Sequence, residues 1–145
     1  MFIEHVTATG RLVIQLFDKD GNMKDERHLE NMVVTAGKGY IAARIATAAT
    51  LVSHIAIGSG STAPTLADTA LGSELGRAVI TSSTSAAAVA TFVSTLGPGV
   101  GTGAVTEAGV FNNSSGGTML CRTIFAVVNK DVNDTMIVTW LITIN

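Results

Sequence analysis

The stretch from residue 54 to residue 77, HIAIGSGSTAPTLADTALGSELGR, contains the residue types that build phosphate-binding turns and nucleophilic sites. Its glycines at 58 and 60 follow an apolar segment, as they do in a dinucleotide-binding turn. Such a turn requires a third glycine, where Ala63 stands, and an acidic residue about twenty positions further on. Asp68 and Glu74 come too early for that role. The sequence therefore does not predict a nucleotide site here.

Two further motifs resemble ligand sites only in part. The Gly-Lys-Gly segment at residues 37–39 lacks the glycine five positions before the lysine that a P-loop requires, and a glycine occupies the Ser/Thr position. The segment Asp18–Asn22, DKDGN, begins like a calcium loop, but Leu29 stands where the bidentate glutamate belongs. We predict neither a metal site nor a cofactor.

Nucleophilic catalysis needs a serine or cysteine, a histidine base and an orienting acid in one place. His5, His28 and His54 supply candidate bases, yet no GxSxG elbow accompanies them. We expect His54 to lie half-buried and hydrogen-bonded at the side of a strand, and we predict no catalytic residue. A small hydrolase that uses His54 with a nearby serine is the enzymatic alternative.

Two unusual residues are better explained as parts of the core. Cys121 is the single cysteine and has the apolar neighbours Leu120 and Ile124, which suit a small buried side chain. Trp140 falls on the apolar face of a strand pattern. Sugar-binding sandwiches need exposed aromatic platforms, and aromatic residues make up only 5% of this chain.

Charge and composition exclude several classes of protein. The net charge is -2, which argues against a nucleic-acid-binding surface. Hydrophobic residues make up 47% of the chain, with mean hydropathy +0.44, but no run is long enough for a membrane span. The segment MFIEHVTATG lacks the basic and apolar regions of a signal peptide. We predict partners other than nucleic acid or membrane, and folding in a cytoplasm.

The charges are concentrated in the first part of the chain. Twelve of the twenty charged residues lie within the first 44 positions, whereas residues 45–129 contain only five. Residues 45–129 are rich in Ala, Gly, Ser and Thr. Such a neutral stretch is unusual for a monomer in water, so we expect either a hydroxyl-rich surface or a surface covered by neighbours.

Alternation of apolar and polar residues predicts a mostly β protein. In residues 135–145 every even position from Met136 to Ile144 is apolar, as in a strand with one buried face. Residues 11–17 repeat the pattern, and the Asp-Gly pair at 20 and 21 predicts a hairpin into a polar arm at 22–30. Further strands are predicted at 52–57, 77–82, 87–96, 105–111 and 118–128. Eight or nine closely spaced strands indicate an antiparallel β-sandwich or a barrel, and we favour the sandwich.

Helices play a small part in this prediction. Thr35 can cap a helix over residues 36–47, where Ile41 and Ile45 share a face with Ala48. A second short helix is predicted at residues 66–75, with Leu71 and Leu75 buried against the sheet. The chain reads as a single sandwich domain over 1–145, in which 1–31 form a charged N-terminal strand and hairpin region.

Several of these segments together resemble small virion proteins of tailed bacteriophages. The resemblance rests on IAIGSGSTAPTLADTALGSELGR, VTEAGVFN, GGTMLCRTIF and the closing DTMIVTWLITIN, and it covers roughly residues 32–145. Similar strings occur in tail modules and in capsid-associated proteins. A chain of this length without a fibre shaft looks most like a jelly-roll capsid cement or decoration protein. The N-terminal residues 1–31 are outside the resemblance.

The resemblance implies a structural role without catalysis. We expect a protein on the outer capsid surface of the virion, assembled in the host cytoplasm, that clamps neighbouring major capsid proteins and forms a homo-oligomer such as a dimer or trimer. Residues 1–9 and the loop LGPGVGTG at 96–103 are the expected contact segments. The alternative is a tail or tail-fibre module involved in host attachment.

Overall fold

Antiparallel pairing closes the strands of this chain into a barrel. The computed structural model describes residues 4–145. Its elements are β1 (Ala8–Phe17), β2 (Met23–Val33), α1 (Thr35–Ala46), β3 (His54–Gly58), β4 (Glu74–Ala86), β5 (Val89–Leu96), β6 (Gly103–Phe111), β7 (Met119–Lys130) and β8 (Thr135–Ile144). The strand order around the barrel is β1-β2-β7-β6-β3-β4-β5-β8, and β8 pairs with β1. The mostly β prediction is confirmed, but the jelly-roll-like sandwich is wrong.

Two long strands explain why the sheet closes. β2 pairs with β1 along most of its length and then with β7 at Met32 and Val33. β4 pairs with β3 as far as Val79 and with β5 from Ile80 onward, with a register shift between Ile80 and Ser82. Each strand thus passes from one half of the barrel to the other. Alternation reveals which face of a strand is buried but not which strands are neighbours, so the sequence did not distinguish the two architectures.

The clearest sequence patterns correspond to real strands. The even residues of β8 from Met136 to Ile142 are buried, and those of β1 from Leu12 to Leu16 are buried opposite them. The predicted hairpin also forms: Gly21 has φ +82°, and the Asp18 carboxylate accepts hydrogen bonds of 2.9 Å from the N–H groups of Asp20 and Asn22. The acids of DKDGN therefore shape a turn.

The helical predictions were partly correct. Helix α1 lies where the sequence predicted it, but Thr35 is its first residue rather than its cap, and the capping position, Val34, offers no side-chain hydrogen bond. The predicted second helix is wrong, because turns and bends precede the start of β4 at Glu74. Near the start of the predicted helix, Asp68 accepts hydrogen bonds from the N–H and hydroxyl of Thr65, and these bonds stabilise a local turn instead of a helix.

The core fills the barrel interior between its two ends. Cys121 and Trp140 are both fully buried, as predicted, and the Trp140 indole N–H donates to Asn31 Oδ1 at 3.0 Å. At one end lie the start of β1, the end of β8 and helix α1; at the other lie the β1–β2, β5–β6 and β7–β8 connections. No helix within residues 4–145 is long and apolar enough to cross a membrane.

Candidate interaction surface

The chemistry-bearing stretch at residues 59–73 forms a loop on the outer face of β6 and β7. Glu107 of β6 lies fully buried beneath this loop. Its carboxylate accepts backbone N–H hydrogen bonds from Gly60 and Gly72, each 2.9 Å long, and from Ser73 at 2.7 Å. A Cβ atom at Gly60 would lie 2.5 Å from the same carboxylate. The glycine is therefore needed for close packing on Glu107, and its amide is already occupied by that side chain.

Arg122 of β7 completes this buried network. Its Nη2 and Nε donate to Glu107 Oε2 at 2.9 and 3.1 Å, and its Nη1 donates to Asp68 Oδ2 at 2.8 Å. A further hydrogen bond of 2.9 Å reaches the carbonyl of Thr62. Because these bonds tie both loop and strands to one guanidinium, the network fixes the loop; Glu107 and Arg122 are buried in it, and Asp68 is partly exposed. The sequence analysis missed it, although Glu107 and Arg122 were rare charges in a neutral stretch.

Hydrogen bonds control the acidity of the two carboxylates. Burial alone would raise the pKa of Glu107, but the amides of Ser73 and Gly72, the Arg122 guanidinium and the Gly60 amide together lower it. The pKa of Asp68 is also lowered, first by the backbone N–H of Thr65 and then, against the opposing effect of burial, by the Thr65 hydroxyl and Arg122. Both groups are ionised near neutral pH.

The histidine candidate lies apart from this network. Ser53 Oγ and His54 Nδ1 are 2.8 Å apart, as neighbours along the chain at the start of β3. The pKa of His54 is lowered by burial and then by the charge of Arg77. Within residues 4–145, no carboxylate forms a hydrogen bond or ion pair with His54. This geometry differs from a nucleophilic triad, in which an acid orients the base.

The other residues that the sequence analysis singled out lie in the following surroundings. Burial raises the pKa of the Cys121 thiol well above its ordinary value, so little reactive thiolate forms. The part of the chain that the structure describes holds no cluster of three His, Cys, Asp or Glu side chains suited to a metal ion. Of the two leucines predicted to be buried, Leu71 is half-buried against the cluster around Phe111, but Leu75 is 37% exposed.

An apolar cavity of about 570 Å³ opens beside helix α1. Its walls come from α1, the segment before β3, β4, β5, β7 and β8, and they contain no charged residue. The aliphatic and aromatic walls include Tyr40, Leu51, Val79, Phe92, Leu120 and Ile142. The polar side-chain groups of the lining are the hydroxyls of Tyr40, Ser53, Ser83 and Ser85. We call this space the hairpin cavity, because the β4–β5 hairpin forms one side of it.

A second apolar cavity of about 570 Å³ lies on the other side of the helix. It shares Ile41 and Ile144 with the hairpin cavity, and Lys38 is its single charged lining residue. Large apolar side chains stand exposed around both cavities: Ile45 is 85% exposed, Val6 70%, Leu51 65% and Val79 57%. We call the two cavities and these side chains the α1 face.

The packing of helix α1 explains why residues 4–145 leave this face uncovered. Gly37, in its first half, lies so close to β7 that a Cβ atom would overlap the carbonyl of Leu120. Gly37 is the buried residue of the helix, whereas Ile45 near its C-terminus has almost no neighbours to cover it. The helix is thus anchored at one end, and its apolar C-terminal half lies between two cavities.

The two expected contact segments lie at opposite ends of the barrel. Val6 and Thr7 line the second cavity and so belong with the α1 face, while residues 1–3 of the predicted segment 1–9 lie outside the described residues. The loop at 96–103 lies at the other end, where Gly99 donates to the Val132 carbonyl. The structure therefore brings only the first segment to the α1 face.

Comparison with known proteins adds no relative. No protein-family model, no curated protein sequence and no solved structure matches the chain.

Proposed function

We propose that this protein is a non-enzymatic virion protein that binds the outer surface of a phage capsid and stabilises the shell by clamping neighbouring major capsid proteins. The observation that supports binding is the α1 face, with its two apolar cavities and exposed aliphatic side chains. The phage setting comes from the resemblance of residues 32–145 to small virion proteins.

The chemistry of the α1 face suits a binding role. Large exposed apolar patches on water-surrounded proteins mark interaction sites. Because Lys38 is the single charged residue among the linings of the two cavities, a partner covers them with little loss of charge hydration. A stable interface buries about 1,200–2,000 Å² in total, and the α1 face offers an apolar centre for one.

A clamp of this kind requires no reacting group. It lowers the free energy of the assembled shell by burying surface across the joint between two subunits. The network of Glu107 and Arg122 fits the same role, because it holds the loop at 59–73 rigid without offering a site to a substrate. His54 is not needed for such a role.

Quantitative mass spectrometry of purified virus particles tests the proposal. We expect copy numbers comparable with that of the major capsid protein. A few copies per particle would instead favour the tail or tail-fibre alternative, and absence from the particle would overturn both. The His54→Ala variant should occupy capsids as fully as the unchanged chain; a turnover that this substitution abolishes would favour the hydrolase alternative.

A further inference from the structure

The β4 strand has an edge that no other strand covers. Residues 74–79 of β4 pair with β3, and from Ile80 onward the strand pairs with β5 alone. Within the described chain, no backbone hydrogen bond reaches the opposite edge of residues 81–86. About half of the N–H and C=O groups of a strand point to each side, so this edge presents unpaired donors and acceptors over about 17 Å.

This edge lacks the features that normally prevent strand pairing. Natural edge strands carry charged residues or proline, or are covered by other elements. Residues 81–86, TSSTSA, are all exposed and contain no charge and no proline. The edge is therefore open to an added strand.

The hairpin cavity lies on one face of the same strand. Ser83 and Ser85 line it, and their cross-strand partners Phe92 and Ala90 line it too. Thr84, between them, points to the other face. An added strand would place alternate side chains into the cavity while its backbone bonds to the edge.

We infer that β4 residues 81–86 accept an extended, uncharged segment of a partner protein as an additional strand, with alternate aliphatic side chains of that segment filling the hairpin cavity. The inference rests on the proposed function, under which the segment belongs to the major capsid protein. The cavity has no charged lining residue, so a neutral aliphatic segment matches it and an acidic or basic one does not.

The cavity and the strand edge together argue against two other occupants. A second copy that pairs through the same edge would present serine, threonine and alanine side chains, which are too small for a space of about 570 Å³. An isolated alkyl chain would fill the space but leave the backbone groups of the edge unpaired. An extended polypeptide with large alternate side chains satisfies both features.

A synthetic peptide tests the inference without a capsid. The probe is a capped Thr-Val-Thr-Ile-Thr-Val-Thr peptide, titrated into the whole protein, and the control peptide has serine in place of the aliphatic residues. We expect binding of the first peptide only, with slower hydrogen exchange of alternate amides in residues 81–86. The Ser85→Glu variant should weaken binding at least about tenfold, because it puts a carboxylate into the cavity, while Thr84→Glu stays within about threefold.

The outcomes separate this inference from the proposed function. Equal effects of Ser85→Glu and Thr84→Glu, or no peptide binding, would overturn the strand-addition inference even if the protein occupies capsids. Protection of residues 81–86 that depends on protein concentration, with a dimer in sedimentation, would show that a second copy is the occupant. Peptide binding to a protein that is absent from virus particles would contradict only the proposed function. Both variants change exposed residues, and a thermal unfolding measurement on each is the check that it folds.

Discussion

The loop at 59–73 and the α1 face show that a segment without helix or strand can be held by more internal contacts than a region built from regular elements. The loop has no helix or strand, yet Glu107 binds three of its amides and Arg122 binds one of its carbonyls from below. The α1 face is built from a helix and a hairpin, yet its apolar side chains lie uncovered. The loop hydrogen-bonds several of its polar groups within the chain, whereas the α1 face of the described residues leaves apolar side chains exposed.

The largest expected effect comes from breaking the network under the loop. Glu107→Gln leaves Arg122 charged and buried without its main counter-ion, and we expect a loss of about 3 kcal/mol in the free energy of unfolding. Urea unfolding followed by Trp140 fluorescence measures it. As the control, Glu26→Gln removes an exposed carboxylate and should cost less than about 1 kcal/mol. Equal losses in the two variants would mean that the network does not hold the loop.

Acidification should release the loop and leave the α1 face unchanged. The pKa values of Glu107 and Asp68 are lower in the folded protein than the unfolded value of about 4. The two ionised carboxylates therefore make their full contribution to the free energy of unfolding above that pH. It disappears as the pH falls through the lower folded-state values. Hydrogen-exchange protection factors of the Gly60 and Gly72 amides should then drop before those of helix α1. Simultaneous loss in both regions would contradict this order.

The smallest effect on stability is expected on the α1 face, where the change should appear in binding. Ile45 is 85% exposed, so Ile45→Lys should alter the free energy of unfolding by less than about 0.5 kcal/mol. We expect it to weaken binding to shells that lack this protein by about tenfold, because a charge must then be desolvated. Val132→Lys, at 59% exposure on the opposite end of the barrel, is the matched control. Equal binding of both variants would remove the α1 face from the proposed interface.

Local patterns in the sequence predicted local structure well. The alternation in β8, the Asp-Gly turn and helix α1 all depend on neighbouring residues, and they were confirmed. Closure of the barrel was missed because it depends on pairs between strands that are far apart along the chain, such as β2 with β7 and β1 with β8. The network under the loop was missed for the same reason, because Glu107 lies 34 residues or more along the chain from the amides that it binds.

The α1 face was also beyond the reach of the sequence. Ile41 and Ile45 lie on one side of a helix, which normally indicates burial. Whether that side meets the barrel depends on how far the helix lies from it, and Gly37 fixes the distance only at the first half. The neutral composition of residues 45–129 was the one sequence feature that indicated a covered surface. It did not indicate which residues form that surface.

The seam between β2 and β7 makes the buried thiol useful as a kinetic probe. These strands pair at only two positions, and Cys121 is in one of them, opposite Val33. As the single cysteine of the chain and fully buried, it reacts with a thiol reagent only when the structure around it opens. The labelling rate therefore reports how often the barrel opens around Cys121, at this seam or more widely. Measured on free and shell-bound protein, that rate would show whether assembly slows the opening.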